Sequence, residues 1–160
     1  WYVGGLNRTA WIDRGVFNLP IAASSDYYLY NHETGADDGS TSPAQAITAF
    51  IESSQFDIGE GDQFSFVRKV IPDLTFRDST AIAPAVNLTL QARNFPGGAY
   101  LQTGASAVTR SAVVPVEQFT QDANVRLRGR SMSLKVDSSA TGVAWRLGAP
   151  RIEIRPDGRR

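Results

Sequence analysis

Apolar and polar residues alternate with a period of two along most of this chain. Between residues 85 and 95, Val86, Leu88, Leu90 and Ala92 oppose Asn87, Thr89, Gln91 and Arg93. Successive side chains of a strand point to opposite faces, so this pattern predicts a strand with one buried side. The same reasoning predicts strands within 9–14 and at Tyr27–Tyr30. It also predicts one over 63–76, where Phe64, Phe66, Val70, Leu74 and Phe76 share a parity. Val143, Trp145 and Leu147 mark another, and Ile152 and Ile154 one more. Turn-forming clusters at 33–43, 59–63, 93–98, 137–142, 147–150 and 155–160 separate these runs, with Gly supplying positive φ and Pro fixing φ. The expected fold is all-β, a single domain over residues 1–160 built of antiparallel sheets. A two-sheet β-sandwich is one arrangement open to them. No internal repeat of the roughly 40–45 residues common in propeller blades is visible.

Two stretches need closer reading. In 42–54, Ser42, Pro43 and Gln45 fit a helix start, with Ile47, Phe50 and Ile51 at helical spacing. Ile47, Ala49 and Ile51 also alternate, so strand and short helix both stand. In 124–139, apolar residues fall first on odd positions (Val125, Leu127) and then on even ones (Met132, Leu134, Val136). One extra residue in a strand has this effect. A β-bulge with Gly129 in the left-handed conformation supplies it and keeps all five side chains on one face. Two short strands meeting near Gly129 are the alternative.

The 160 residues suffice for a real core without disulfides or metals. The lack of cysteine excludes a disulfide framework, a Cys-type zinc site and a thiol nucleophile. No apolar stretch approaches the ~18–20 residues that span a bilayer as a helix, and no membrane partner is expected. The start at Trp1, without Met, reads as that of a fragment or a processed product.

The neutral total charge hides a division. Residues 1–125 hold 13 acidic and 7 basic side chains, whereas residues 126–160 hold 3 acidic and 9 basic ones. Arg126, Arg128, Arg130, Arg146, Arg151 and Arg155 lead the basic part, followed by Arg159 and Arg160. The planar guanidinium binds carboxylate or phosphate bidentately and is enriched at protein interfaces. Net neutrality argues against a dedicated nucleic-acid binder, so pairing between subunits is the expected role of these six arginines.

Catalytic signatures are absent from the sequence: it has no P-loop, dinucleotide-binding fingerprint or nucleophile elbow. His32, the only histidine, sits with Glu33, Asp37 and Asp38 in a turn-rich stretch, too thin a constellation for a metal or acid–base site. Asp57, Glu60 and Asp62 offer oxygen ligands, but their spacing is not that of an EF-hand, and an exposed hairpin connection is the expected reading. The chain is therefore expected to be no enzyme and to need no cofactor. A different class of function also fits: a β-sandwich that binds carbohydrate or a host-cell surface. Trp1, Tyr2, Trp11, Tyr27, Tyr28, Tyr30 and Trp145 would be its stacking residues.

Residues 125–160 (VRLRGRSMSLKVDSSATGVAWRLGAPRIEIRPDGRR) resemble the C-terminal end of virion tail proteins of short-tailed bacteriophages, of the nozzle or DNA-stabilisation type. Residues 9–35 and 51–76 are similar to the same group. The resemblance implies β-propeller-like blades, a virion location and a homo-oligomeric ring, hexameric in such tails, with this chain as the C-terminal part of a longer protein. It further implies neighbours such as adaptor, fibre or needle proteins, and transient passage of DNA without sequence-specific binding.

Overall fold

A computed structural model describes residues 7–95 and 110–158. Among these residues the chain forms fifteen strands: β1 (Ala10–Ile12), β2 (Ile21–Ala23), β3 (Leu29–Asn31), β4 (Asp37–Asp38), β5 (Gln45–Ala46), β6 (Ala49–Glu52), β7 (Phe56–Asp57), β8 (Ser65–Ile71), β9 (Leu74–Thr75), β10 (Ala85–Arg93), β11 (Ser111–Glu117), β12 (Ala123–Gly129), β13 (Ser131–Ser138), β14 (Arg146–Leu147) and β15 (Arg151–Pro156). Among these residues no helix is long and apolar enough to cross a membrane. The fold is all-β with antiparallel pairing. The ambiguous segment 42–54 forms β5 and β6, so its alternation prevails over its helix-start residues.

Two sheets carry the core. One has the order β11-β10-β13-β6, with β7 also paired to β13; the other has the order β12-β8-β15. Val86, Leu88, Leu90 and Ala92 of β10 and Met132, Leu134 and Val136 of β13 form the inner face of the first. They pack with Val67 and Val70 of β8 and Ala123, Val125 and Leu127 of β12 from the second. This is face-to-face packing of two layers. Each fully buried side chain of Leu or Val size stabilises the fold by roughly 1.5–3 kcal/mol over leaving it in water. Ser131 and Ser133, on the opposite side of β13, are buried too, so this strand is enclosed on both faces.

The parity change near Gly129 has a different cause from the expected bulge. The chain does not continue as one strand. β12 ends at Gly129 in one sheet, and β13 begins at Ser131 in the other. Arg130 is the residue spent on the crossing, and its N–H donates to the Arg93 carbonyl at 2.8 Å. The alternative of two strands meeting near Gly129 describes the chain. Gly129 is not among the residues with positive φ. It is needed for space: a Cβ there would lie 2.7 Å from the Ala92 Cβ and 2.9 Å from the Arg93 carbonyl oxygen. Glycine permits this close passage of two backbones.

Irregular register lies instead in the smaller sheet, and it also corrects the single parity expected over 63–76. Glu153 and Ile154, adjacent in β15, pair with Lys69 and Val67 of β8. The same two β8 residues pair with Asn124 and Leu127 of β12. Across the sheet each strand thus inserts one residue more than its neighbour, and the ladder flares toward β12. Arg68 and Lys69 both lie between the buried Val67 and Val70, which throws Phe66 to the face away from the core. The run then breaks before the short β9.

Residues 9–31 form a separate meander, β1-β2-β3. Its cross-strand rows are Trp11–Ala22–Tyr30 on one face and Ile12–Ile21–Asn31 with Ala10–Ala23–Leu29 on the other. None of these residues belongs to the central core.

Candidate functional site: the arginine face

The outer side of β12-β8-β15 gathers the basic residues. Strand alternation sends Arg126 and Arg128 of β12 and Arg151 and Arg155 of β15 away from the core. The register sets Arg128 and Arg155 on either side of Phe66. Arg68 and Lys69 project from the flare. Four of the six arginines expected at an interface therefore share one face. Arg146 lies on β14, in a different small sheet, and Arg130 at the crossing between layers.

Most of these cations are engaged within the chain. Arg128 forms an ion pair with Asp157 and donates from Nη2 to the Asp157 carbonyl at 3.2 Å. Its guanidinium also lies 3.9 Å from the centre of the Phe64 ring, with that of Arg130 at 4.7 Å from the same ring. Arg110 donates to the Arg128 carbonyl at 2.7 Å. Lys69 pairs with Asp122 at 3.3 Å, Arg155 with Glu153 at 3.4 Å, and Arg146 with Asp78 at 3.2 Å. Such half-exposed pairs contribute about 0–1 kcal/mol each. The Arg128 group adds cation–π attraction to Phe64 of about 0.5–2 kcal/mol. Phe64 is also tied by its backbone: its N–H donates to the Gly158 carbonyl, and its carbonyl accepts from the Asp157 N–H, both at 2.8 Å. Arg128 and Arg130 thus help hold the end of β15.

Arg126 and Arg151 make no ion pair among the described residues, and neither does Arg68, which the sequence reading passed over. Its signal was hidden because Arg68 lies in the acidic part of the chain, inside a stretch read for its apolar parity. Arg68 and Arg126 flank a depression of about 430 Å³ whose other walls are Phe66, Asn124 and Val125. The depression sits where the sheet flares. Two unengaged guanidinium groups on a partly apolar floor can receive an anionic group bidentately while its carbon stem packs on Phe66.

The other sequence candidates fall elsewhere. His32 accepts a hydrogen bond on Nε2 from Arg8 Nε at 3.0 Å, and its ring lies 4.6 Å from that of Trp11. The Arg8 guanidinium in turn covers the Tyr30 ring at 4.2 Å, and the Tyr30 hydroxyl donates to Asp26 Oδ2 at 2.6 Å. This bond lowers the Asp26 pKa, with Ser24 adding to the effect, and raises that of Tyr30. Among the described residues no group of three or more His, Asp or Glu side chains is placed to hold a metal ion. Trp145 is half-buried against the core and donates from Nε1 to Ser138 Oγ at 2.9 Å, so it is not an open stacking platform. Trp1, Tyr2, Arg159 and Arg160 lie outside the described residues. No protein-family model matches the chain, and no curated protein matches it.

Proposed function

We propose that this chain is a non-enzymatic structural subunit of a phage tail. In this reading it joins copies of itself in a nozzle-like ring that retains packaged DNA and forms the conduit for ejection. One observation carries the reading. The chain presents two uncovered surfaces of unlike character, an apolar side of the meander and an arginine face on the smaller sheet. On the meander, Ile12 and Leu29 are 70% and 75% exposed, close to the fully exposed Val16 and Tyr27. A ring needs a heterologous contact, in which one patch meets a different patch on the next copy. The resemblance of residues 9–35, 51–76 and 125–160 to nozzle-type tail proteins supplies the setting. Light scattering and electron microscopy of the purified chain test it. A closed ring with a central channel is expected, and a monomer persisting to about 100 μM would refute it.

A carbohydrate-binding module is the second reading, favoured by one feature: Trp11 and Tyr28 are both exposed, with Arg8, His32 and Asp26 nearby as polar partners. Glycan-array binding lost on Trp11→Ala, by a chain that stays monomeric, would select it.

A further inference from the structure

We infer that the depression between Arg68 and Arg126 receives a carboxylate from a second copy of this chain, that of Glu60. The inference rests on the ring reading and adds to it a contact of the arginine face with the β7–β8 turn of the next copy, beside the apolar contact of the meander. Three observations converge on it.

The depression has donors without acceptors. Arg68 and Arg126 are exposed, make no ion pair among the described residues, and flank a concave site whose lining also includes Phe66 and Asn124. Planar guanidinium groups match a carboxylate bidentately, and an aromatic floor accepts its methylene stem.

The face suits a discrete acid better than a polyanion. Asp122, Glu153 and Asp157 already stand among its cations, each in an ion pair. They would oppose a run of phosphates laid across the same strands. The chain as a whole is neutral, so no long-range field draws nucleic acid to it.

The chain also carries a fitting acid. Glu60 is exposed and makes no ion pair among the described residues. It sits between Gly59 and Gly61, whose φ angles of +72° and +75° bend the connection from β7 to β8 into a tight turn. A Cβ at Gly59 would meet nothing within 4 Å, so the turn is open on that side, whereas a Cβ at Gly61 would lie 3.2 Å from the Asp57 side chain. The exposed Glu60 carboxylate stands between them, where it can enter a depression of this size.

The test is the assembly equilibrium of the full chain at two salt concentrations. Arg68→Ser/Arg126→Ser is expected to weaken self-association at least tenfold at low salt, while the melting temperature of the dilute, dissociated chain is unchanged, because within one copy neither side chain has an ion-pair partner to lose. Arg126→Glu and Glu60→Arg are each expected to weaken association. Combined in one chain they restore it to within about threefold, since the charges are exchanged. Association unaffected by these variants, or no rescue by the exchange, overturns the inference and leaves the ring reading standing. Absence of any assembly by the parent chain overturns both. If the parent binds a 30-base-pair DNA and Arg68→Ser/Arg126→Ser abolishes that binding while assembly is unchanged, the depression is a phosphate site and the inference falls.

Discussion

Asp26 and Tyr30 share a hydrogen bond that is charge-assisted, and therefore strongest, while the carboxyl is ionised and the phenol is not. The bond therefore leaves a pH signature at both ends of the scale. The Asp26 pKa is lowered in the folded protein, first by the Tyr30 hydroxyl and then by Ser24. Its contribution is present above the unfolded value near 4 and is lost as pH falls through the lower folded value. The Tyr30 pKa is raised, chiefly by Asp26. Its contribution is present below about pH 10 and is lost as pH rises through the higher folded value. The NMR signals of the Asp26 carboxyl and the Tyr30 ring are expected to be flat between these limits and to change beyond both. Asp26→Asn is expected to remove the acid transition and to bring the alkaline one down toward pH 10. Little of this network was legible beforehand. His32 reads as a loop residue because its partners, Arg8 and Trp11, lie more than twenty positions away and meet it only once the meander pairs.

The elements themselves were easier to read wherever one face is buried. β10 and β13 keep strict alternation because their inner side chains meet the opposite layer. β11 was missed because Pro115 interrupts its pattern. The structure tolerates it there because β11 is an edge strand among the described residues. The crossing at Gly129 was half legible. Its change of parity marks a real event, but alternation alone does not distinguish an inserted residue within a sheet from a passage between sheets. The two differ in what glycine is for. Gly129→Ala is expected to destabilise the fold by about 1–3 kcal/mol, because the added methyl must displace Ala92 and the Arg93 backbone. Gly35→Ala, where a Cβ meets nothing within 4 Å, is the control and is expected to fall within about 0.5 kcal/mol of the parent. Urea unfolding of both variants measures the difference.

For the molecule as a whole, charge and apolar exposure tell separate stories. The division of charge along the sequence located the arginines but not their use. Arg128, Arg146 and Arg155 are paired within the chain, and only folding reveals that Arg126 and Arg68 share one depression. The meander makes the converse case: YYLY reads as a strand, but the strand starts only at Leu29, Tyr27 has a φ of +67°, and Tyr28 and Leu29 stand largely in water. A three-stranded sheet this small needs cover for its apolar side. Ile12→Asp/Leu29→Asp is therefore expected to abolish assembly while leaving the main melting transition within a few degrees of the parent, as read by light scattering and calorimetry. The tie at the end of β15 has a mechanical corollary. A tug applied at Gly158, away from the layer, loads the Phe64 pair before any other rung. It next strips Asp157 from Arg128, and only then opens the ladder to β8, one step at a time. A neighbour attached there would let go like a zipper with a catch at its first tooth, sparing the valine and leucine interior.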